Sequence, residues 1–266
     1  MRAALVTGAS SGIGAACAVR LVSSGWRVFA GVRRAGDAPR ATEEMLLDVT
    51  NADKIRAASE EIGELDALVN NAGIAIAMPL EFIPLGELRR QLEVNLIGQI
   101  AVTQAFLPHM RRSRGRIVFV GSIAGKSALP FLGAYAASKH ALEAIADALR
   151  IELRPFGIDV AVVEPGTIKT PIWAKSAEVA DSLAGRAPPE LRELYGERIA
   201  VFRRVAAERG AKGASADAVA RAVEAAVTDG RPWTRKLVGR DAKFRSGVER
   251  LPDRIRDLVY ERLLLR

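Results

Sequence analysis

The sequence predicts a doubly wound α/β fold, in which a parallel sheet of about seven strands carries helices on both faces. Short apolar segments alternate with helical patterns along the chain, as expected for such a sheet. The first apolar segment leads through a glycine-rich turn directly into a helix. The length of 266 residues, 49% of them hydrophobic, suits one large domain or two small ones, and we predict a single domain over residues 1–266.

The predicted elements follow the apolar periodicity of the chain. Strands are expected over residues 3–6, 27–31, 44–47, 66–69, 116–120, 158–163 and 236–238. Helices are expected over residues 13–24, 51–62, 85–110, 134–154 and 215–227, and Gly25 ends the first of them.

Two regions depart from this rhythm. Residues 171–213 contain Pro188, Pro189 and several glycines, and they form an insertion that we predict to be a substrate lid. Residues 239–266 form a basic C-terminal tail. Its last part, residues 251–264, has the spacing of an amphipathic helix that packs on its own domain or on a subunit partner. The apolar positions of that helix are Leu251, Ile255, Leu258, Val259 and Leu263.

The net charge of +8 is concentrated near the end, where residues 231–266 hold eleven basic and five acidic side chains. A solvated basic face is favoured over a nucleic-acid or membrane-surface patch, because no nucleic-acid motif accompanies the charge. The single cysteine, Cys17, is expected to be a buried structural thiol and agrees with a reducing, cytoplasmic compartment. No signal peptide or membrane span is expected, and His109 and His140 lack the neighbours of a metal site.

The glycine-rich turn has the composition of a phosphate-binding loop. Glycines allow positive φ and close backbone approach, and the start of the next helix offers free N–H groups to a pyrophosphate. The alternative is a turn without a ligand, which its place in the first βαβ unit disfavours. The candidate cofactor residues of this turn are Gly8, Ser10, Ser11, Gly12, Ile13 and Gly14.

The end of the second strand favours NADP over NAD. NAD-binding units often place an acid there for the adenosine ribose, whereas this chain has Arg33 and Arg34. Guanidinium groups pair well with a 2′-phosphate. Asp37 lies close enough to leave NAD binding open, and ordinary surface charges are the other alternative.

Tyr135 and Lys139 stand four residues apart on a predicted helix and therefore on one face of it. A nearby ammonium lowers the pKa of a phenol, and a tyrosine tuned in this way can act as general acid or base. Ser122, thirteen positions upstream, could donate a hydrogen bond where negative charge develops on a substrate oxygen.

These residues give the chain a resemblance to the classical short-chain dehydrogenase/reductase family, with its Rossmann fold. The resemblance covers residues 3–170, and more weakly 171–238. Its steroid, retinol and 3-hydroxybutyrate dehydrogenase branch is the nearest. The motifs that carry it, in order, are the turn at residues 7–14, Asp48 with Val49, residues 70–73, Asn95, Ser122 with Tyr135 and Lys139, and Pro165 with Gly166.

The resemblance implies further roles. Asp48 would bind the adenine amine with Val49 beside it, and Asn95 would kink its helix and hold a water of a proton relay. Lys139 would also hold the nicotinamide ribose. The adenosine ribose side would be lined by Asn71, Ala72 and Gly73, and the nicotinamide end by Pro165, Gly166, Thr167, Ile168 and Thr170. A homodimer or homotetramer is also implied.

The expected reaction is hydride transfer between NADP(H) and a carbonyl or secondary alcohol, with Tyr135 as the proton donor or acceptor. Apolar loops at the strand ends predict a lipophilic small-molecule substrate, with Ile74, Phe131 and Trp173 as candidate contacts. The alternatives are an NAD-dependent hydroxyacid or 3-oxoacyl enzyme, a non-catalytic dinucleotide sensor or scaffold, and a nucleic-acid or membrane-surface binder that uses the tail.

Overall fold

The computed structural model describes residues 1–230 and 233–265, and the expected parallel sheet is confirmed in it. Its strands are β1 Ala3–Thr7, β2 Arg27–Val32, β3 Glu43–Leu46, β4 Ala67–Asn70, β5 Arg116–Val120, β6 Asp159–Pro165 and β7 Arg235–Val238. All seven pair in parallel in the order β3-β2-β1-β4-β5-β6-β7.

Helices connect and flank these strands. In chain order they are α1 Gly12–Ser23, α2 Ala52–Glu61, α3 Leu85–Leu92, α4 Gly98–Ser113, α5 Gly133–Glu152, α6 Ile172–Ala184, α7 Pro189–Ala211, α8 Ala216–Thr228, α9 Arg240–Val248 and α10 Asp253–Leu264. Short 3₁₀ turns cover Ile123–Gly125 and Arg154–Phe156.

The sheet is buried on both faces because alternate residues of each strand point into two separate cores. In β1, Ala4 and Val6 join the core under α1 and α8, whereas Leu5 joins the core under α2, α4 and α5. Cys17 lies in the first core, where burial raises the pKa of its thiol to about 12. This matches the expected structural thiol.

The topology places a crevice at the carboxyl ends of the central strands. Strand β1 pairs with β2 on one side and with β4 on the other, so the chain reverses its winding there. The loops after β1 and β4 leave in different directions, and ligands of doubly wound sheets bind in the opening between them.

The helical stretch expected over residues 85–110 is interrupted in the structure at the position of Asn95, where the sequence analysis expected a kink. A π turn, Glu93–Ile97, separates α3 from α4. Asn95 lies in this turn, fully buried. Its Oδ1 accepts a hydrogen bond from Ile74 N at 2.8 Å, and its Nδ2 donates to Ile74 O at 2.9 Å. The wider turn fits this side chain against the loop after β4, as π turns at functional sites commonly do.

The apolar stripe predicted for the last helix is also wrong in detail. Leu251, Ile255, Leu258 and Leu263 are exposed, and the buried positions are Tyr260 and Leu264. The Tyr260 hydroxyl anchors the helix, because it bonds Ser127 Oγ at 2.8 Å and donates to Glu249 Oε1 at 2.7 Å. This side packs with Val248 and Val205, so the contact of the tail is with its own chain.

Two of the described basic residues of the segment 231–266 form ion pairs. Arg235 bridges Glu143 and Asp147, and Arg256 pairs with Asp253 and with Glu249. Arg231 and Arg266, which contributed to the predicted patch, lie outside the described residues.

Candidate active site

The turn after β1 is held in shape by glycines and by one threonine. Gly8 and Gly12 have φ of +65° and +60°, which favours glycine. A Cβ on Gly14 would stand 2.3 Å from Gly8 O and 2.5 Å from Asn71 Nδ2. Thr7 Oγ1 accepts from the N–H groups of Asn71 and Ala72 at 2.9 and 3.0 Å, and thus ties β1 to the loop after β4.

A first cavity of about 620 Å³ runs along the carboxyl ends of the strands from this turn. The start of α1 borders it, with no side-chain cap at Ser11 and no acid in the first turn. Its N–H groups and positive dipole end therefore suit a pyrophosphate. The residues of the turn that line the cavity are Gly8, Ser10, Ser11, Gly12 and Ile13, and Gly14 lies behind them.

The far end of the first cavity has the features of an adenosine site. Asp48, Val49 and Arg33 line it. Burial acts to raise the pKa of Asp48, but two hydrogen bonds from Thr50 and the charges of Arg33 and Lys54 hold it below its usual value. Arg34 does not line the cavity. It is largely exposed and pairs with Asp37 at 3.2 Å.

The middle of the cavity is bordered by the loop after β4. Asn71, Ala72, Gly73 and Ile74 all line it. Asn71 Nδ2 donates to Thr7 O at 2.9 Å and to Gly8 O at 3.2 Å, so its amide fixes the glycine turn. The residues fit a dinucleotide, since uncapped N–H groups, a carboxylate and an arginine succeed one another along one groove.

Ser122, Tyr135 and Lys139 meet at the near end of the first cavity. Ser122 follows β5, and its Oγ caps the 3₁₀ turn by accepting from Ala124 N at 3.1 Å. Tyr135 and Lys139 lie on the same face of α5, both buried. Lys139 Nζ lies 5.9 Å from the Tyr135 ring centroid and donates to Val120 O at 2.9 Å.

Burial controls the titration of this pair. It lowers the pKa of Lys139 to about 8, against the opposing charge of Glu143. It raises the pKa of Tyr135, although the Ser122 hydrogen bond and the charge of Arg245 act to lower it. The expected lowering of the Tyr135 pKa by Lys139 is therefore not found, because the ammonium is bonded to the backbone and the phenol is desolvated.

Asn95 lines neither cavity and acts through its neighbours. Besides its bonds to Ile74, its Nδ2 donates to Ser138 Oγ at 3.0 Å, and Ser138 Oγ donates to Tyr135 O at 2.7 Å. The side chain thus links the loop after β4 to the first turns of α5 and fixes their spacing.

The loop after β6 lies between the first cavity and a second cavity that opens beyond Ser122 and Tyr135. Pro165 lines the first cavity, and Gly166, Ile168 and Thr170 line both. Thr167 lines only the second. Its N–H donates to Asp241 Oδ2 at 2.6 Å, which attaches the start of α9 to this loop.

The second cavity has a volume of about 540 Å³. Its walls are mainly apolar side chains of α6 and α7, such as Trp173, Ala177 and Phe202. Among the predicted substrate contacts, Trp173 lines both cavities and Ile74 only the first. Phe131 lines neither. It has a φ of +64° and packs edge-on against Phe202.

The roles of three site residues were not predicted from the sequence. Thr7 begins the predicted turn of residues 7–14, but its hydroxyl was given no role there. Asp241 and Arg245 of α9 reach the second cavity from more than a hundred residues beyond Tyr135, in a segment without a motif. Only the fold brings them there.

Comparison with known proteins agrees with this geometry. The family model described as short chain dehydrogenase matches residues 2–181. The chain belongs to the short-chain dehydrogenase family. It is therefore an oxidoreductase of CH–OH or carbonyl groups that uses a nicotinamide dinucleotide, and the expected fold and family are confirmed.

Two curated relatives cover most of this family member. It is 36% identical to the NADPH-dependent 3-dehydrocapnine reductase of Ornithobacterium rhinotracheale over 279 aligned residues, 98% of this chain and 96% of that protein. It is 36% identical to human retinol dehydrogenase 16 over 90% of this chain and 81% of that one.

A solved structure is also similar throughout. It is a short chain dehydrogenase from Burkholderia cenocepacia J2315 in complex with NADP, with a TM-score of 0.75, 26% identity and full coverage of both chains. Within the described part of this chain, we find no helix of the length and apolarity that a bilayer crossing requires.

Proposed function

We propose that the protein transfers a hydride between NADP(H) and a carbonyl or secondary alcohol of a lipophilic substrate, with Tyr135 as general acid or base. The observation that carries this proposal is the meeting of the two cavities. The groove with dinucleotide features and the apolar compartment share Ser122, Tyr135 and Trp173. A substrate in the second cavity would present its reacting carbon to a nicotinamide in the first.

The raised pKa of Tyr135 suits the direction of carbonyl reduction. The phenol stays protonated at neutral pH, so it can give its proton to the carbonyl oxygen as charge develops there. Ser122 Oγ would donate a hydrogen bond to the same oxygen, and Lys139 would bind the ribose. NADPH, when bound, supplies the hydride.

Two observations support NADP over NAD. Arg33 lies at the adenosine end of the first cavity, with no acid at the end of β2. One relative is named NADPH-dependent, and one similar structure contains NADP. Of the two predicted arginines, only Arg33 supports the proposal, because Arg34 is engaged with Asp37.

A lipophilic substrate is supported by the apolar walls of the second cavity, and one relative acts on retinol by its name. The test follows NADPH consumption at 340 nm over a panel of lipophilic ketones and hydrophilic polyol-derived ketones. We expect turnover of the former only. Activity confined to the hydrophilic compounds would contradict the proposed substrate class.

The role of Tyr135 is tested with Tyr135→Phe and, as a matched control, Tyr195→Phe. Tyr195 is bonded to Glu81 and lines neither cavity. We expect Tyr135→Phe to lower kcat at least ~10²-fold, as typical for loss of a general acid, and the control to retain its turnover. Equal turnover of wild type and Tyr135→Phe would overturn the mechanism.

The cofactor preference is tested separately by the Kd values of NADPH and NADH. Tighter binding of NADH than of NADPH would overturn it.

A further inference from the structure

Arg245 is a charged residue of the second cavity that the proposed reaction does not use. It lies on α9 and lines the cavity together with Ser122 and Tyr135. Its Nε and Nη2 donate to Ser127 Oγ at 3.1 and 2.9 Å, and Nη2 also donates to Ser127 O at 2.8 Å. These bonds fix one edge of the guanidinium. Its charge lies close enough to Tyr135 to act on the titration of that phenol.

The charge of Arg245 has no ion-pair partner among residues 1–230 and 233–265. Burial lowers the pKa of Arg245, while the Tyr260 phenol and the carboxylates of Asp241 and Glu249 lie near enough to act in the opposite direction. Asp241 is held by Thr167 N, and Glu249 accepts from Tyr260 and faces Arg256. Arg245 is half-buried, its hydrogen bonds go to neutral oxygen atoms, and these two carboxylates act on it from beyond ion-pair distance. A ligand anion in the cavity would complete the compensation of its charge.

The other charges around the second cavity have the same sign. Lys169, Arg203 and Arg209 also line it, and Asp241 is the one acidic residue of its described lining. Arg203 pairs with Asp181, and Arg209 donates to Leu263 O at 3.3 Å. An apolar compartment thus carries an excess of positive charge, in which Arg245 and Arg209 are half-buried and Arg203 and Lys169 are exposed.

We infer that the substrate is an amphiphile with an anionic group, a carboxylate or sulfonate, which Arg245 binds while the apolar part lies along α6 and α7. The inference rests on the proposed function and narrows its substrate class. A planar guanidinium with one edge fixed by Ser127 can give its remaining donors to such an oxyanion. The anion would lie in the same cavity as the reacting carbonyl, because Ser122, Tyr135 and Arg245 all line it.

The test uses a series of oxodecanoates with the ketone at different carbons, each beside its methyl ester, with NADPH and the full-length protein. Acid and ester share the apolar chain and the ketone and differ in charge. We expect at least one acid to exceed its ester in kcat/KM by ~10²-fold, the range for a charge-assisted hydrogen bond in a buried site.

The variants are Arg245→Gln, Arg245→Lys and the matched control Lys243→Gln. Lys243 lies on the same helix, is exposed, and lines neither cavity. We expect Arg245→Gln to abolish the preference for the acid, Arg245→Lys to keep a part of it, and the control to keep all of it. An acid-to-ester ratio that Arg245→Gln leaves unchanged would overturn the inference.

A binding measurement keeps the inference separate from the proposed function. Titration of decanoate and of decanol into the NADP⁺-bound protein needs no turnover. Decanoate should bind more tightly than decanol, and Arg245→Gln should remove the difference, with Arg245→Lys as the second variant if Gln prevents folding. If the protein reduces neutral ketones but binds decanoate and decanol equally tightly, the anion site is rejected and the proposed function stands. Absence of any ketone reduction would reject the proposed function, and the two probes would still decide the anion site.

Discussion

The two cavities of this protein are built in different ways. The first is formed largely by backbone at strand ends, where Asn71 bonds Gly8 O and no space is left for a side chain on Gly14. Beyond Ser122, Tyr135 and the loop after β6, the second is formed largely by side chains of helices α6, α7 and α9, which come from the insertion and the tail. A backbone-built site demands particular residue types and so leaves a motif. A side-chain-built site can be made in many ways and leaves little trace in one sequence.

Gly14→Val should have the largest effect, because it would fill the backbone cradle of the first cavity. Its Cβ would meet Gly8 O at 2.3 Å, a backbone atom that cannot rotate away. We expect the Kd for NADPH to rise at least ~10³-fold, or about 4 kcal/mol, beyond the usual cost of overpacking. Isothermal titration with NADPH measures it.

Gly86→Ala is the control for this substitution. Gly86 lies in α3 with no atom near the position of an added Cβ, and alanine favours helix. NADPH binding should be unchanged and the protein slightly more stable. Tight NADPH binding by Gly14→Val would show that the first cavity, like the second, can be built from different residue types.

Lys139→Met tests whether the buried ammonium group of Lys139 in the first cavity lowers the free energy of unfolding. Burial lowers the pKa of Lys139 from 10.5 to about 8, so the unfolded chain binds more protons between these values. The free energy of unfolding of the wild type should therefore rise through that window and carry the full penalty below it. At pH 7 the variant should be more stable by at most roughly 3 kcal/mol, reduced by loss of the bond to Val120 O.

Urea unfolding of cofactor-free wild type, Lys139→Met and Lys243→Met at pH 7 and pH 10 measures this effect. The advantage of Lys139→Met should shrink at the higher pH, while the exposed Lys243 should show none. A Lys139→Met protein less stable than wild type at pH 7 would mean that the ammonium is favourably bound there.

The sequence was more informative about the first cavity than about the second. The parallel sheet, the glycine turn and the meeting of Ser122 with Tyr135 and Lys139 were predictable, since strand ends in a doubly wound sheet are fixed by topology. Gly14 was placed among the cofactor residues, yet it acts from behind the lining. The position of Gly14 in the motif reflects the lack of space for a side chain there, and Gly14 itself does not line the cavity.

The substrate side could not be predicted to the same depth. Phe131 was expected at the substrate, but tertiary packing turns it toward Tyr195 and Phe202. Arg245 had no motif at all. The single domain, the lid role of residues 171–213, the homo-oligomer and the cytoplasmic location stay predictions.

Arg33→Ala and Arg34→Ala distinguish two adjacent arginines at the edge of the first cavity. Arg33 lines the cavity, whereas Arg34 is 84% exposed and paired with Asp37. We expect Arg33→Ala to weaken NADPH binding ~30-fold, about 2 kcal/mol, with little change for NADH, since a charge-assisted bond to the 2′-phosphate is lost. Arg34→Ala should alter neither Kd. Equal losses for both cofactors in Arg33→Ala would remove the argument for NADP.

Leu258→Ala should have the smallest effect and tests the exposed stripe of α10. Leu258 is 54% exposed, whereas Leu264 on the same helix is 2% exposed. In the monomer, Leu258→Ala should change the free energy of unfolding by less than about 0.5 kcal/mol, and the matched Leu264→Ala should lose about 2 kcal/mol or more. A larger loss at Leu258, with a change of oligomeric state by sedimentation, would mean that the stripe is covered by another subunit. The tail would then combine a side-chain-built cavity on one face with an interface on the other.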